Sequence, residues 1–212
     1  MGPQVLAFLD GEGKAWLARN KEKLPATDDP VLRAIQSLKL KPEPARILEV
    51  GCADGWRLKE LSSYYNCRCY GIDPGIEQYT SMAGNVTLHR GSADDIHICR
   101  DGTIDLLIYG FCLYLCDPED YFEIAMAGDR VLANGGYLVV YDFWSPVAYK
   151  KPYEHKKGIF TRKMDFAKLW TWSPAYSVQS VMIIGDGDEC TAVQILRKNL
   201  NTAFRSGPPP PP

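Results

Sequence analysis

The apolar run Ala45-Arg46-Ile47-Leu48-Glu49-Val50, preceded by Pro42 and Pro44 and followed by Gly51-Cys52-Ala53-Asp54-Gly55, constrains this chain more than any other stretch. A short apolar run between turn signals reads as a buried strand, the glycines as a tight turn, and Trp56-Arg57-Leu58-Lys59-Glu60-Leu61 has helical spacing. Glycine suits such a turn because it takes positive φ without a Cβ penalty and lets a bound nucleotide approach the backbone. Ala53 keeps the middle position small. Glu49 and Asp54 place negative charge beside the turn, which repels a pyrophosphate and favours a ligand that carries positive charge. The dinucleotide fingerprint also requires a third glycine where this chain has Trp56, so that reading fails.

Length and composition fit one α/β domain with modest additions: 212 residues, of which 46% are hydrophobic. Twenty-four basic residues against 26 acidic give a net charge of −2, which supplies no global field toward nucleic acid or an anionic membrane. No apolar run approaches the ~18 residues that span a bilayer, and the amino terminus lacks a signal-peptide pattern, so a soluble, cytoplasmic protein is expected. The seven cysteines (52, 67, 69, 99, 112, 116 and 190) fall mainly on predicted strands and their ends and read as small buried hydrophobes kept reduced. No histidine or further cysteine pair stands at zinc-ligand spacing beside them, and no metal is expected.

The run Glu49-x-Gly51-x-Ala53-x-Gly55 resembles the first motif of the class I S-adenosylmethionine-dependent methyltransferases, with alanine for the middle glycine. The order of the later elements strengthens the resemblance. Tyr70-Gly71-Ile72-Asp73-Pro74 ends the next apolar run with an acid 22 residues after Gly51. Then come the strand Val86 to Arg90, the loop Gly91-Ser92-Ala93-Asp94-Asp95-Ile96, the Asp-led strand Gly102 to Gly110, a helix over Pro118 to Leu132 ended by Asn134-Gly135-Gly136, and the strand Tyr137 to Phe143. The resemblance implies a three-layer αβα sandwich with a seven-stranded, mostly parallel sheet and a carboxyl-terminal antiparallel hairpin. It implies S-adenosyl-L-methionine as cofactor, held by Glu49, Gly51, Ala53, Asp54 and Gly55 at the glycine turn. Asp73, with Pro74 beside it, would receive the ribose hydroxyls. Ser92, Ala93 and Asp94 would meet the adenine, and Tyr109, Gly110 and Leu113 the methionine part.

Around this domain, taken as residues 45–198, residues 1–44 read as a helical cap with helices over Gly13 to Lys23 and Pro30 to Leu40, split at Leu24-Pro25-Ala26-Thr27-Asp28-Asp29. Trp16 and Leu17 either pack on the sheet or form a flap over the site. Pro74-Gly75-Ile76-Glu77-Gln78-Tyr79 reads as a helix start. Residues 144–180 form the variable, substrate-facing insert. Within it, seven basic residues between Lys150 and Lys168 face only Glu154 and Asp165. That run reads either as a solvated loop or as a basic rim for an anionic or sugar-bearing substrate, with Tyr149, Tyr153, Phe160, Trp170, Trp172 and Tyr176 as stacking faces. Ser177 to Ile184 and Cys190 to Leu196 form the closing hairpin. Residues 199–212 are a Pro-rich tail too poor in core formers to pack.

The reaction implied is in-line displacement at the methyl group of a sulfonium, with little demand on catalytic groups beyond alignment. A hydroxyl acceptor would profit from a base, and His155, in the insert, is the first candidate, with Asp142 and Tyr114 behind it. The Asn-Pro-Pro-Tyr signature of enzymes that methylate base amino groups is absent. The expected activity is methylation of a small molecule or glycan, at a hydroxyl oxygen. The alternatives are a peptide or protein acceptor, or a cofactor-binding partner subunit without catalysis. Neither a nucleic-acid nor a membrane partner is expected.

Overall fold

The computed structural model describes residues 1–24, 28–77, 79–81 and 85–203, so Pro25-Ala26-Thr27, Gln78 and the end of the Pro-rich tail lie outside the described residues. Helix α1 (Pro3–Ala7) runs through a π-helical turn, Phe8–Glu12, into α2 (Gly13–Asn20). Helix α3 (Pro30–Leu38) starts as expected, with Pro30 in its first turn and the Asp29 carboxylate accepting from the Leu32 amide at 2.9 Å. The domain then continues as β1 (Arg46–Val50), α4 (Trp56–Tyr65), β2 (Arg68–Asp73), β3 (Thr80–Ser81), β4 (Val86–Arg90), β5 (Ile104–Gly110), α5 (Tyr121–Val131) and β6 (Leu132–Phe143). The insert holds a hairpin, β7 (Tyr149–Pro152) and β8 (Phe160–Lys163), and a short helix, α6 (Lys168–Thr171). The strands β9 (Tyr176–Ile184) and β10 (Thr191–Lys198) and the helical turn α7 (Leu200–Ala203) close the chain.

The main sheet has the order β3-β4-β2-β1-β5-β6-β10-β9, parallel from β4 through β6 and antiparallel at both ends. Side chains alternate between its faces. Ile47, Leu106, Ile108 and Val139 pack against Val31 and Ile35 of α3 and Leu58 and Leu61 of α4. Leu48, Leu107, Tyr109 and Leu138 pack against Ile124 and Val131 of α5 and Trp170 of α6. This is the three-layer sandwich the sequence implies, with one more strand than expected.

The extra strand replaces an expected helix. The Asp73 carboxylate takes the Gly75 amide at 2.7 Å and the Ile76 amide bonds back to the Asp73 carbonyl, which turns the chain. Thr80 and Ser81 then pair antiparallel with β4. A second difference lies at Asn134-Gly135-Gly136. Helix α5 stops at Val131 and Leu132 is already extended, so these residues lie inside β6. Gly135, at φ 87°, sits where the pairing of β6 with β5 slips between Ile104 and Leu106, so its freedom serves a bulge and not a helix cap.

Candidate active site

The carboxyl ends of β1, β2, β4 and β5 meet under an open, concave and mostly apolar cavity. Its floor begins at the first turn. Gly51 and Gly55 have φ of 77° and 80°, and Ala53 takes the left-handed conformation too, at 51°. A Cβ on Gly51 would lie 2.6 Å from the Cβ of Cys112, so this position admits only glycine. Asp73 ties the turn to the second strand: one carboxylate oxygen accepts from the Ala53 amide at 2.9 Å, the other from Gly75. Burial pushes the Asp73 carboxyl up to about 6, the two amides pull it back, and Asp54 adds to the rise.

Glu49 stands below this turn, fully buried, and contacts the Arg57 guanidinium. Arg57 in turn makes a two-pronged pair with Asp29 at 3.0 and 2.8 Å. Burial raises the Glu49 carboxyl and Arg57 draws it down. The charge expected to face a ligand therefore joins β1, α4 and the cap of α3 as a buried ion triad.

At the end of β5, Phe111 adopts φ 59°, a conformation that costs a non-glycine residue about 1–2 kcal/mol. Its ring lies 4.9 Å from Tyr114, 4.9 Å from Phe143 and 5.3 Å from Tyr141, centroid to centroid, and it forms part of the cavity wall with Cys112, Leu115 and Cys116. Asp142 fixes this loop from behind. Its carboxylate accepts from the amides of Leu113 at 2.8 Å, Tyr114 at 3.3 Å and Phe143 at 2.8 Å. Burial lifts it to about 7 against those amides.

Val5, Phe8, Gly13 and Trp16 roof the cavity. Gln4, buried, fastens the roof: its side-chain amide donates to the carbonyls of Leu115 at 2.7 Å and Phe160 at 3.1 Å and accepts from the Phe160 amide at 2.8 Å. Trp16 donates its indole N–H to the Tyr114 hydroxyl at 3.3 Å. Phe8, Tyr153 and Ile159 form a small separate core, and the Tyr153 hydroxyl bonds to Glu12 and Arg19. At the base of α2, a Cβ on Gly13 would lie 2.8 Å from the Gly75 amide nitrogen, so the roof rests on backbone.

Of the expected cofactor residues, Gly51, Asp73, Pro74, Ser92 and Ala93 line the cavity, while Ala53, Asp54 and Gly55 shape the turn beside it. Asp94 has one buried carboxylate oxygen without a partner and groups with Asp120 and Glu123. Tyr109 and Leu113 belong to the core; the Tyr109 hydroxyl donates to the Ile124 carbonyl at 3.0 Å. Gly110 has no room for a Cβ against Glu49. None of the three candidate bases lines the cavity. His155 is exposed, its ring edge-on to Tyr153, while Tyr114 is buried and its hydroxyl is raised by that burial. The insert's cations are largely engaged. Lys151 pairs with Asp188, Arg162 bonds to Asp117 and the Cys116 carbonyl, Lys163 is buried over the Phe143 ring, and Lys150 lies over Phe160. Trp170 and Tyr176 are core residues, and only Trp172 of the six aromatic faces is strongly exposed. Sequence reasoning does not single out the wall residues Phe111, Cys112, Leu115 and Cys116, although their place past a strand's carboxyl end is a signal for binding.

Residues 48–140 match the model of a methyltransferase domain family. The chain carries this match on the strands whose ends meet at the cavity. Its fold is shared by a 1,6-didemethyltoxoflavin-N1-methyltransferase of Burkholderia thailandensis solved with 1,6-didemethyltoxoflavin and S-adenosylhomocysteine, with TM-score 0.73 and 13% identity over 94% of this chain and 91% of that one. An S-adenosylmethionine-dependent methyltransferase of Methanosarcina mazei gives 0.62 and 16% over 82% and 99%. A putative methyltransferase of Haloferax volcanii, solved in complex with the Trm112 activator, gives 0.61 and 19% over 89% and 98%. No curated protein matches the chain by sequence. The matched stretch runs from within β1 to within β6, and the cavity lies on the strand ends it contains.

Proposed function

We propose that the protein transfers a methyl group from S-adenosyl-L-methionine to a small, flat or compact acceptor of low charge. The carrying observation is the roofed, mostly apolar cavity, whose lining among the described residues holds one charged side chain, Asp73, and one hydroxyl, Ser92. The cofactor fits these residues. Asp73 offers carboxylate oxygens where ribose hydroxyls would donate, and Ile72, Ala93 and Leu115 give an apolar slot for the adenine ring, with Asp94, next to Ala93 in sequence, the acceptor proposed for its amino group. Asp54 and Asp73 favour a cationic ligand over a phosphate. When bound, S-adenosylmethionine supplies a methyl group on a positively charged sulfur, ready for displacement.

The chain's own part is alignment and exclusion of water. Phe111, held among three rings, and Trp16, tied to Tyr114, form stiff walls, and such alignment is worth up to roughly 7–11 kcal/mol. Apart from Asp73, which the ribose occupies in this reading, the described residues that line the cavity hold no carboxylate, imidazole or amine, and burial raises the Cys112 and Cys116 thiols. A base-poor site suits a phenol-like hydroxyl, the acceptor atom we favour, or a ring nitrogen of the kind methylated by the Burkholderia protein. The apolar lining weighs against a glycan and the roof against a peptide. Release of S-adenosylhomocysteine from a panel of phenols, nitrogen heterocycles, sugars and peptides tests this. Turnover is expected with the first two classes, and turnover confined to sugars or peptides overturns the acceptor assignment.

A further inference from the structure

We propose a second ligand site on the opposite edge of the sheet, a groove at the amino ends of β1, β2 and β5 that takes a small-molecule polyphosphate. The groove is open to solvent and is lined by Arg46, Arg68 and Arg100, with Tyr70 and Thr103 beside them. It lies at the other end of the parallel strands from the methyl-transfer cavity.

Arg46 and Arg68 are register partners in the β1–β2 ladder, so their side chains leave the same face of adjacent strands. Like charges side by side on a sheet are destabilising unless something lies between them. Tyr70, two residues after Arg68, shares that face, and Arg100 approaches from the loop before β5. Other cations at this edge have acids of their own: Arg130 pairs with Asp101 at 2.6 Å, Lys41 with Glu43 at 3.0 Å, and Lys198 with Asp129 at 2.8 Å. Among the described residues, Arg46, Arg68 and Arg100 have none. The nearest carboxylate along the strands, Asp105, spends one oxygen on the amides of Ala45 and Arg46, both at 2.9 Å.

Three unpaired guanidinium groups on one groove match an anion carrying two or three negative charges better than a single monoanion. Arginine forks suit tetrahedral phosphate oxygens through paired N–H donors, and the Tyr70 hydroxyl stands beside them as a further donor. The short chain of phosphates in a di- or triphosphate meets all three at once.

The test is calorimetric titration of inorganic triphosphate into the full chain in 50 mM and 200 mM salt. Saturable one-to-one binding that weakens with salt is expected. Arg68→Gln weakens it by about tenfold, Arg68→Lys by less, because the charge stays while the fork is lost, and Lys59→Gln on the exposed side of α4 leaves it unchanged. S-adenosylhomocysteine affinity, measured on each variant, reports an intact fold. The proposal is overturned by absence of saturation at 50 mM salt, by orthophosphate binding as tightly as triphosphate, or by equal binding in Arg68→Gln. Displacement of triphosphate by a single-stranded oligonucleotide of higher affinity also overturns it, because the groove would then serve a nucleic-acid backbone.

Discussion

The floor of the cavity is carried by residues at or just past the ends of neighbouring parallel strands, whereas its roof is the segment from α1 to α2 clasped to a hairpin 156 positions away through Gln4 and Phe160. The floor inherits the rigidity of the sheet and of the buried triad Glu49–Arg57–Asp29. The roof depends on a three-residue core and a handful of hydrogen bonds. Regions with few buried apolar contacts open at lower free energy than the sheet beneath them. The same cavity therefore has a half held by the sheet and a half held by fewer buried contacts.

Changes in the floor and roof should separate these halves. The largest effect is expected from Arg57→Met, which strands two buried carboxylates and should cost about 3–5 kcal/mol in urea unfolding. A loss under about 1 kcal/mol would remove the triad from the account of floor rigidity. Asp73→Ala comes next, with donor affinity falling at least tenfold by calorimetry, and unchanged affinity would withdraw Asp73 from the ribose.

The same residue makes a pH prediction of opposite sign for binding and for stability. Its folded value, about 6, lies above its ordinary 3.8. The folded chain thus keeps a proton that the unfolded chain loses, so this group's stabilising contribution is full below about pH 4 and is lost as pH rises through 6. The proposed ribose contact uses the carboxylate, so donor binding should weaken as pH falls through 6. A flat affinity from about pH 5 to 7.5 would contradict that role.

In the roof, Gln4→Ala should lower the free energy of local opening by about 1 kcal/mol, seen as faster amide exchange over α1 and α2 with β1 unchanged. Exchange that accelerates equally in β1 would show that roof and floor are one cooperative unit. The smallest effect is expected at His155, outside the cavity lining: His155→Ala should leave turnover unchanged, and a hundredfold loss would restore it as a base.

Apart from the polar β3, the order of elements from Arg46 to Phe143 is legible in the sequence because each strand is an apolar run bounded by its own turn residues, and Gly51 and Asp73 carry their geometry locally. Glu49 is misread from sequence because its partners, Arg57 and Asp29, lie on other elements, and a charge beside a glycine turn looks free until its ion pair is seen. Tyr109 reads as a wall residue, although strand alternation turns it into the core. Phe111 reaches the wall by leaving the strand in a left-handed conformation that no periodicity announces. The fastening of Gln4 to Phe160 has no local signature, since both its ends are ordinary polar and apolar positions in sequence.

The clasp between α1 and β8 also sets a schedule for synthesis. A chain emerging from the ribosome finishes the strand ends of the floor by Cys116 and can tie its first helix to Leu115, Asp117 and Asp120 soon after, yet the Phe160 half of the clasp is made some forty residues later. For that interval the roof over the apolar slot is fastened from one side alone, and the late hairpin is the step that completes the chamber.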